Sequence, residues 1–237
     1  MPRIKFTDLI LYEDDDYLII NKPSFIATLE DRNDPVSILS LARSHVADAQ
    51  VGHRLDKETS GALAIAKHPE AYRSLAIQFE KRQVDKVYHA VSEGIHDFQE
   101  VTVNLPIHAT SKGVVKISRR EGKPAQTLVN TVSVYQRHTL VKCQPTTGRM
   151  HQIRVHLASL KASIVGDAKY GGRLFYLSSV KRNYHLKKNT EEQPLIKRVA
   201  LHAHGLGFRS LSGQLIEVQA PYPKDFAVLL KQLEKNK

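Results

Sequence analysis

The order of apolar and polar residues along the chain predicts a protein rich in β-strands. Two short apolar runs, 9–12 and 17–21, are separated by the acidic run 13–16 and followed by Pro23, which indicates a β-hairpin. Residues 84–93 alternate, with Tyr88, Ala90 and Ser92 on one face, so we expect a strand there. Further strands are predicted at 114–118, 127–135, 140–144, 201–204 and 215–220.

Two segments show the period of an amphipathic helix instead. The first begins at Pro69 and has apolar residues at i, i+3, i+4 and i+7, which are Tyr72, Leu75, Ala76 and Phe79. The second begins at about Asp225, and its apolar face consists of Phe226, Leu229, Leu230 and Leu233. Many strands with few helices, in no βαβ alternation, predict an α+β fold with a mostly antiparallel sheet.

Length and composition describe a globular, basic protein. A chain of 237 residues with 41% apolar residues can fill a substantial core, and we expect a single catalytic domain over residues 1–237. The 35 Lys and Arg residues exceed the 24 Asp and Glu residues, which gives a net charge of +11. Such an excess suits a polyanionic partner such as RNA, although solubility alone would also explain it.

The sequence contains neither a disulfide pair nor a recognisable metal motif. Cys143 is its only cysteine and lies in a strand-like stretch, so we expect a buried small hydrophobe. No His or Cys cluster has zinc spacing, and His202 and His204 alternate along a strand without a third ligand. The N-terminus lacks the apolar segment of a signal peptide, and no apolar run is long enough to span a membrane. These features predict a cytoplasmic protein, and we take a monomer as the default.

The charged run His53-Arg54-Leu55-Asp56-Lys57-Glu58-Thr59-Ser60-Gly61 is the strongest candidate for a site, because cations flank its Asp56 carboxylate. Two later segments accompany it, Lys86-Val87-Tyr88-His89-Ala90-Val91 and Gly148-Arg149-Met150-His151-Gln152-Ile153-Arg154-Val155-His156-Leu157. The latter has apolar residues at helical spacing, and Arg154 would lie at the edge of the buried face. Taken alone, Arg154 would be a surface residue and Tyr88 an ordinary core residue of a sheet.

Together the three segments resemble the signature of the RluA-type RNA pseudouridine synthases, over about residues 9–230. The resemblance implies a pseudouridine synthase fold, in which helices flank a mixed central sheet. It also implies an isomerase that converts a uridine of ribosomal or transfer RNA to pseudouridine. This reaction adds and removes no electrons, so it needs no redox cofactor. The absence of a Walker A loop and of a dinucleotide-binding motif fits that expectation.

Family roles transfer to matching positions of this chain. The resemblance makes Asp56 the nucleophile, Arg154 its charge partner, and Tyr88 the residue that contacts the uracil and is a candidate acceptor of its C5 proton. A neighbouring cation favours the charged form of a carboxylate. Arg54 would fill the stack that the flipped nucleotide leaves, which suits a planar guanidinium. The remaining predicted substrate-binding residues are His53, Leu55 and Ile153.

Other segments have weaker assignments. Residues 173–198 are expected to form a basic loop, either solvated or in contact with RNA, with its cations at Lys181, Arg182, Lys187, Lys188, Lys197 and Arg198. Asp167 lies among glycines, so we assign it a structural role in a tight turn first and a substrate role second. The family pattern begins by about residue 9, so no N-terminal RNA-binding S4 domain is expected, and the catalytic domain's own surface would supply the RNA affinity.

Two other functions fit part of this pattern. A non-catalytic RNA-binding protein on the same fold would explain the charge, and its Asp56 variants would behave like the parent. A glycosidase that releases the base would need a second acid, which would be Glu58 or Asp167, and would produce free uracil. The sequence does not identify the RNA or the uridine, because RNA fold governs that choice.

Overall fold

A computed structural model describes residues 5–30, 36–110, 113–186 and 189–237. These residues form two compact units. The first comprises residues up to Val87 together with His202–Pro221, and the second comprises Tyr88–Leu201 and Tyr222–Lys237. The prediction of a single domain over 1–237 stays a prediction.

The described residues contain twelve β-strands and four α-helices. The strands are β1 (Ile10–Glu13), β2 (Tyr17–Lys22), β3 (Gln50–Val51), β4 (Ser60–Ala66), β5 (Asp85–Glu93), β6 (Val101–Asn104), β7 (Ile107–Ala109), β8 (Val115–Ile117), β9 (Gln126–Val134), β10 (His138–Pro145), β11 (Leu201–Arg209) and β12 (Leu215–Gln219). The α-helices are α1 (Ile38–Arg43), α2 (Pro69–Glu80), α3 (Gln152–Ser159) and α4 (Lys224–Lys235). The predicted α+β class, with a mixed and mostly antiparallel sheet, is confirmed.

The first unit is built on strand β4. Antiparallel pairs join β1 to β2, β2 to β4, β3 to β4 and β11 to β12, whereas β4 and β11 run parallel. Every residue of β4 is buried. Its alanines pack with Tyr17, Leu75 and Phe208 in one apolar cluster. Strand β4 is therefore a fixed support for the chain segments directly before and after it.

The second unit has an antiparallel sheet in the order β5, β10, β9, β6, and a separate hairpin of β7 and β8. Its core lies between this sheet and apolar residues of α3 and α4, among them Ile153, Leu157, Phe226 and Leu229. Cys143 is fully buried in β10, as predicted. The inward apolar residues of α3 therefore fix which side chains of that helix stay at the surface.

The alternation and helix patterns located most of these elements. The first hairpin, β5, β8, β9, β10, β12, α2 and α4 all lie where the sequence predicted them. Strand β11 extends to Arg209, beyond the predicted 201–204. Among the described residues, no helix is long and apolar enough to cross a membrane.

Helix α2 shows where the helical pattern was wrong in detail. Its buried residues are Ala71, Leu75 and Gln78, whereas Tyr72 is exposed. Gln78 lies on the buried face because its polar groups are paired. Its side chain donates to the Arg209 carbonyl oxygen at 2.9 Å and accepts the Arg209 N–H at 2.8 Å. A glutamine with both ends paired can be buried, and an apolar pattern does not reveal it.

Candidate active site

The loop that carries Asp56 is anchored immediately before and after this residue. The buried Thr28 hydroxyl accepts the backbone N–H of Leu55 at 3.1 Å and donates to the Leu55 carbonyl oxygen at 3.0 Å. On the other side, the Lys57 carbonyl oxygen accepts the Phe25 N–H at 2.7 Å. The backbone at Asp56 therefore has few alternative conformations, while its side chain stays partly exposed.

A buried cation strengthens the second anchor. Lys22, at the end of β2, has no exposed surface. Its Nζ donates to the carbonyl oxygens of Pro23 at 2.8 Å, Ile26 at 2.8 Å and Lys57 at 3.3 Å. A buried ammonium must be surrounded by acceptors to be tolerated, so Lys22 joins the turn after β2 to the residue that follows Asp56.

His53 shapes the start of the same loop. Its Nε2 accepts the Ala64 N–H at 3.0 Å, which places the proton of the neutral ring on Nδ1, and the ring stacks on Phe79 with centroids 4.5 Å apart. Burial, with a smaller contribution from the Lys86 charge, lowers the pKa of His53 to about 3. The pKa of Lys86 is itself lowered to about 8, mainly by burial and then by the Arg82 charge.

Gly61 is the last residue of the charged run, and a steric reason requires glycine at this position. It lies where β4 runs parallel to β11, opposite Ala203, with φ at +117°. A Cβ at this position would lie 2.2 Å from the Ala203 carbonyl oxygen, closer than any allowed contact. The glycine therefore permits the close pairing of two buried strands directly after the Asp56 loop.

Tyr88 and the Gln152-Ile153-Arg154 segment belong to the second unit. Tyr88 lies in β5, pairs with Cys143 of β10, and packs partly buried against the core. Ile153 is buried in that core. Gln152 fixes the first turn of α3, because its Oε1 accepts the Thr147 hydroxyl at 2.7 Å and the Arg149 N–H at 3.0 Å. The helix therefore presents Arg154 in a defined orientation.

Asp167 holds the Arg154 guanidinium. Arg154 Nε donates to Asp167 Oδ2 at 2.7 Å, and Nη2 donates to Oδ1 at 2.8 Å. The Asp167 side chain is 1% exposed and that of Arg154 is 11% exposed, so this bidentate pair is shielded from water. A guanidinium has five N–H donors in a rigid plane, and the pair uses two of them to fix that plane.

An aromatic ring supports the same guanidinium. Arg154 Cζ lies 5.0 Å from the centre of the Tyr170 ring, within the range of a cation–π contact. His151 Nδ1 lies 2.8 Å from the Tyr170 hydroxyl. The turn with Asp167 and Tyr170 is closed by Gly166, where φ is +80° and a Cβ would lie 2.2 Å from the Arg198 carbonyl oxygen. The structural role predicted for Asp167 is confirmed, and the sequence did not reveal that Arg154 is its partner.

The seven predicted site residues thus divide between the units. His53, Arg54, Leu55 and Asp56 lie in the first unit, and Tyr88, Ile153 and Arg154 lie in the second. The predicted pairing of Asp56 with Arg154 joins residues of different units and stays a prediction. Arg54 is exposed, as a residue that enters RNA would need to be. Thr28, Lys22 and Tyr170 were missed, because their contacts with Leu55, Lys57 and Arg154 join separate segments of the chain.

The basic segment 173–198 needs one correction. Arg198 is not part of a solvated surface: it is 1% exposed, and its Nε donates to Asp225 Oδ2 at 2.7 Å while Nη2 donates to Oδ1 at 3.0 Å. Lys181, Arg182 and Lys197 are exposed. Lys187 and Lys188 lie outside the described residues.

His202, which lacked an assigned partner in the sequence, is buried within 2.9 Å of the Ser60 hydroxyl and 3.1 Å of the Ala220 carbonyl oxygen.

Solved structures place this fold among the pseudouridine synthases. Human RNA Pseudouridylate Synthase Domain Containing 4 aligns with a TM-score of 0.72 and 25% identity, over 97% of this chain and 94% of that chain. Human RNA Pseudouridylate Synthase Domain Containing 1 aligns with a TM-score of 0.67 and 27% identity, over 90% and 83%. The class is that of enzymes that isomerise uridine in RNA.

The sequence comparisons assign the family. The RNA pseudouridylate synthase family matches residues 16–159. The chain is 33% identical to the uncharacterized RNA pseudouridine synthase YlyB of Bacillus subtilis, over 96% of this chain and 73% of that protein. It is 34% identical to ribosomal large subunit pseudouridine synthase D of Haemophilus influenzae, over 95% and 70%. This chain belongs to the RluA-type RNA pseudouridine synthases, and the predicted isomerase class is confirmed.

Proposed function

We propose that this enzyme converts one specific uridine of a ribosomal or transfer RNA to pseudouridine, with Asp56 as the catalytic carboxylate and no cofactor. Relatives named for the large ribosomal subunit favour ribosomal RNA. The observation that carries the proposal is the anchoring of Leu55 and Lys57 on either side of Asp56. A carboxylate on a fixed backbone does not have to be ordered again at each turnover.

The reaction breaks one bond and forms another within a single nucleotide. The N1–C1′ bond of uridine breaks, the base rotates, and a C5–C1′ bond forms. C5 loses its proton and N1 gains one, so no atom or electron enters or leaves overall. The Asp56 carboxylate would attack C1′, or stabilise positive charge there, while the detached base turns.

Arg154 would serve as the charge partner of Asp56. The bidentate pair with Asp167 and the Tyr170 ring fix the plane of its guanidinium. Such a fixed cation would favour the ionised form of a second carboxylate that meets its remaining N–H groups. Asp167 would neutralise part of that charge, so the arginine would orient the nucleophile without binding it as tightly as an isolated cation would.

The target uridine would leave the RNA stack before it reacts. A base in folded RNA must be splayed out for a side chain to reach C1′. Tyr88 would contact the uracil and accept the C5 proton or hold the ring by stacking. The exposed Arg54 would enter the space that the nucleotide leaves, where a planar guanidinium can stack on the neighbouring bases.

Tritium release from RNA labelled at C5 of uridine tests the proposal. The parent protein should release tritium from unmodified large-subunit ribosomal RNA or transfer RNA and form pseudouridine without free uracil. Asp56→Asn should reduce release to background yet bind the RNA with nearly the parent affinity, because phosphate contacts supply most of that affinity. Glu58→Gln serves as the matched control, since it removes an exposed carboxylate two residues away, and it should keep the parent rate.

Two results would contradict the proposal. Equal activity of the parent and Asp56→Asn would remove the catalytic role of this carboxylate. Release of free uracil, lost in Glu58→Gln, would instead indicate a glycosidase with two acids.

A further inference from the structure

Phe25, in the turn after β2, combines two features that are unfavourable for an ordinary turn residue. Its side chain is 47% exposed, and its backbone has φ at +70°. Left-handed backbone is the region that favours glycine, and a bulky residue there is strained. Neither the folding of the turn nor the packing of the core explains a large aromatic ring in this place.

The surroundings of Phe25 hold it in that conformation. Its N–H donates to the Lys57 carbonyl oxygen at 2.7 Å, and the buried Lys22 ammonium binds the carbonyl oxygens of Pro23 and Ile26 on either side of it. The exposed ring is therefore attached to a rigid turn that is bonded to the residue after Asp56. Strain that is held in place by neighbouring bonds, next to reactive groups, is typical of functional sites.

We propose that Phe25 is an RNA-binding residue whose ring stacks on an unpaired nucleobase next to the target uridine. The proposal rests on the proposed function, which brings RNA to Asp56. Unpaired bases in RNA are bound by aromatic side chains, which accept any base face. Arg54 and Lys57, both exposed in the same loop, supply cations for the flanking phosphates. An aromatic ring beside cations fits single-stranded RNA better than it fits an apolar protein surface.

The strain gives this proposal a test in which stability and binding change independently. Asparagine tolerates left-handed backbone better than phenylalanine does, so Phe25→Asn should leave the melting temperature unchanged or raise it. The same substitution should weaken binding to unmodified large-subunit ribosomal RNA by roughly tenfold, because one stacked base is lost. Phe25→Tyr, which keeps the ring, should bind like the parent. Tyr72→Ala removes an exposed aromatic of α2 and should have no effect on binding.

The binding arm is measured in the Asp56→Asn background, so that no turnover occurs, and tritium release is measured with Asp56 intact. Ultraviolet crosslinking of the complex should attach a nucleotide to the peptide that contains Phe25. Weaker binding, an unchanged or higher melting temperature and this adduct together support the proposal. Binding of Phe25→Asn within twofold of its reference overturns it, and so does a lower melting temperature that accompanies the weaker binding.

This inference and the proposed function can fail separately. If the parent releases tritium and Phe25→Asn matches it in RNA affinity and KM, the stacking role is wrong while the catalytic proposal stands. If the parent releases none but its RNA affinity depends on the ring, the catalytic proposal is wrong while the RNA contact stands. If the parent binds none of these RNAs, the stacking proposal is overturned as well.

Discussion

The candidate catalytic side chains Asp56 and Arg154 are positioned by residues from other segments of the chain. Asp56 is positioned by Thr28 and Lys22, and Arg154 is positioned by Asp167 and Tyr170. In each case these contacts hold the side chain, or the backbone next to it, in a defined position. The motif predicts which residues react, whereas these contacts determine how accurately they are placed.

Asp167→Asn tests whether that placement matters for catalysis. The substitution replaces one carboxylate oxygen with an amide N–H that faces the guanidinium, so Arg154 should lose its fixed plane. We expect kcat to fall by about a hundredfold, the cost of a misplacement near 1 Å, with KM and RNA affinity little changed. Single-turnover tritium release and RNA binding would measure the two quantities separately.

Asp225→Asn is the matched control for this prediction. It breaks a second bidentate arginine–carboxylate pair of the second unit, in which the buried Arg198 meets the half-buried Asp225. Both substitutions should lower the melting temperature, because each leaves a buried guanidinium without its carboxylate. Only Asp167→Asn should lower kcat at temperatures where both variants are folded, and the same kcat in both would refute a role of Asp167 through Arg154.

At the scale of elements, the sequence predicted most of the longer strands but missed β4, which is buried on both faces, and the short strands β3, β6 and β7. The alternation of residue types over 84–93 predicted β5 correctly, although Ala90, Val91 and Ser92 are all buried in the folded protein. Strand β4 is buried throughout and reads as the continuous run SGALAIA, which has no period of two. The same limit applies to Gln78, whose burial depends on hydrogen bonds to Arg209 that no local pattern encodes.

The residues of the candidate site were likewise predicted only where the local sequence carries a signal. The sequence predicts Asp56, Tyr88 and Arg154 as site residues because the family motifs span contiguous residues around each of them. Lys22 and Tyr170 were not, since a lysine that binds three carbonyl oxygens, or a tyrosine under a guanidinium, has no local sequence signal. Non-local contacts have to be read from the folded chain.

The close pairing of β4 and β11 leads to a prediction about the unfolding free energy of a glycine variant. Gly61→Ala would place a Cβ 2.2 Å from the Ala203 carbonyl oxygen, so the two strands would have to separate. Together with the positive φ, this should cost about 3 kcal/mol or more of unfolding free energy, measured by urea denaturation. Gly213→Ala is the control, because its φ is +84° but its Cβ would meet no atom within 4 Å. A similar loss in both variants would show that backbone strain alone, without strand separation, explains the effect.

At the scale of the whole molecule, the protein carries a net charge of +11, yet several of its histidines are partly or fully buried and stay neutral at neutral pH. Burial lowers the pKa of His53, His138, His156 and His204. We expect the surface cations to serve association with RNA, which is polyanionic. The buried histidines, which contribute no charge at neutral pH, make the stability of the fold sensitive to acid.

The sign of this dependence follows from the lowered pKa values. An unfolded histidine titrates near pH 6.5, whereas folded His53 titrates at about 3. Between these values the unfolded chain binds more protons, so the unfolding free energy rises with pH and is lost as pH falls. For His53 alone the loss between pH 6.5 and 4.5 is roughly 2 to 3 kcal/mol.

His53→Gln should remove this part of the acid sensitivity. A glutamine carbonyl can still accept the Ala64 N–H that His53 Nε2 accepts, but it takes up no proton in this range. Urea unfolding of both proteins at several pH values would show a smaller loss in the variant on acidification, by about 1 kcal/mol or more per pH unit. If the unfolding free energies of the two proteins fell in parallel as the pH is lowered, His53 would be protonated in the folded protein at these pH values. Its Nε2 would then not be the acceptor of the Ala64 N–H.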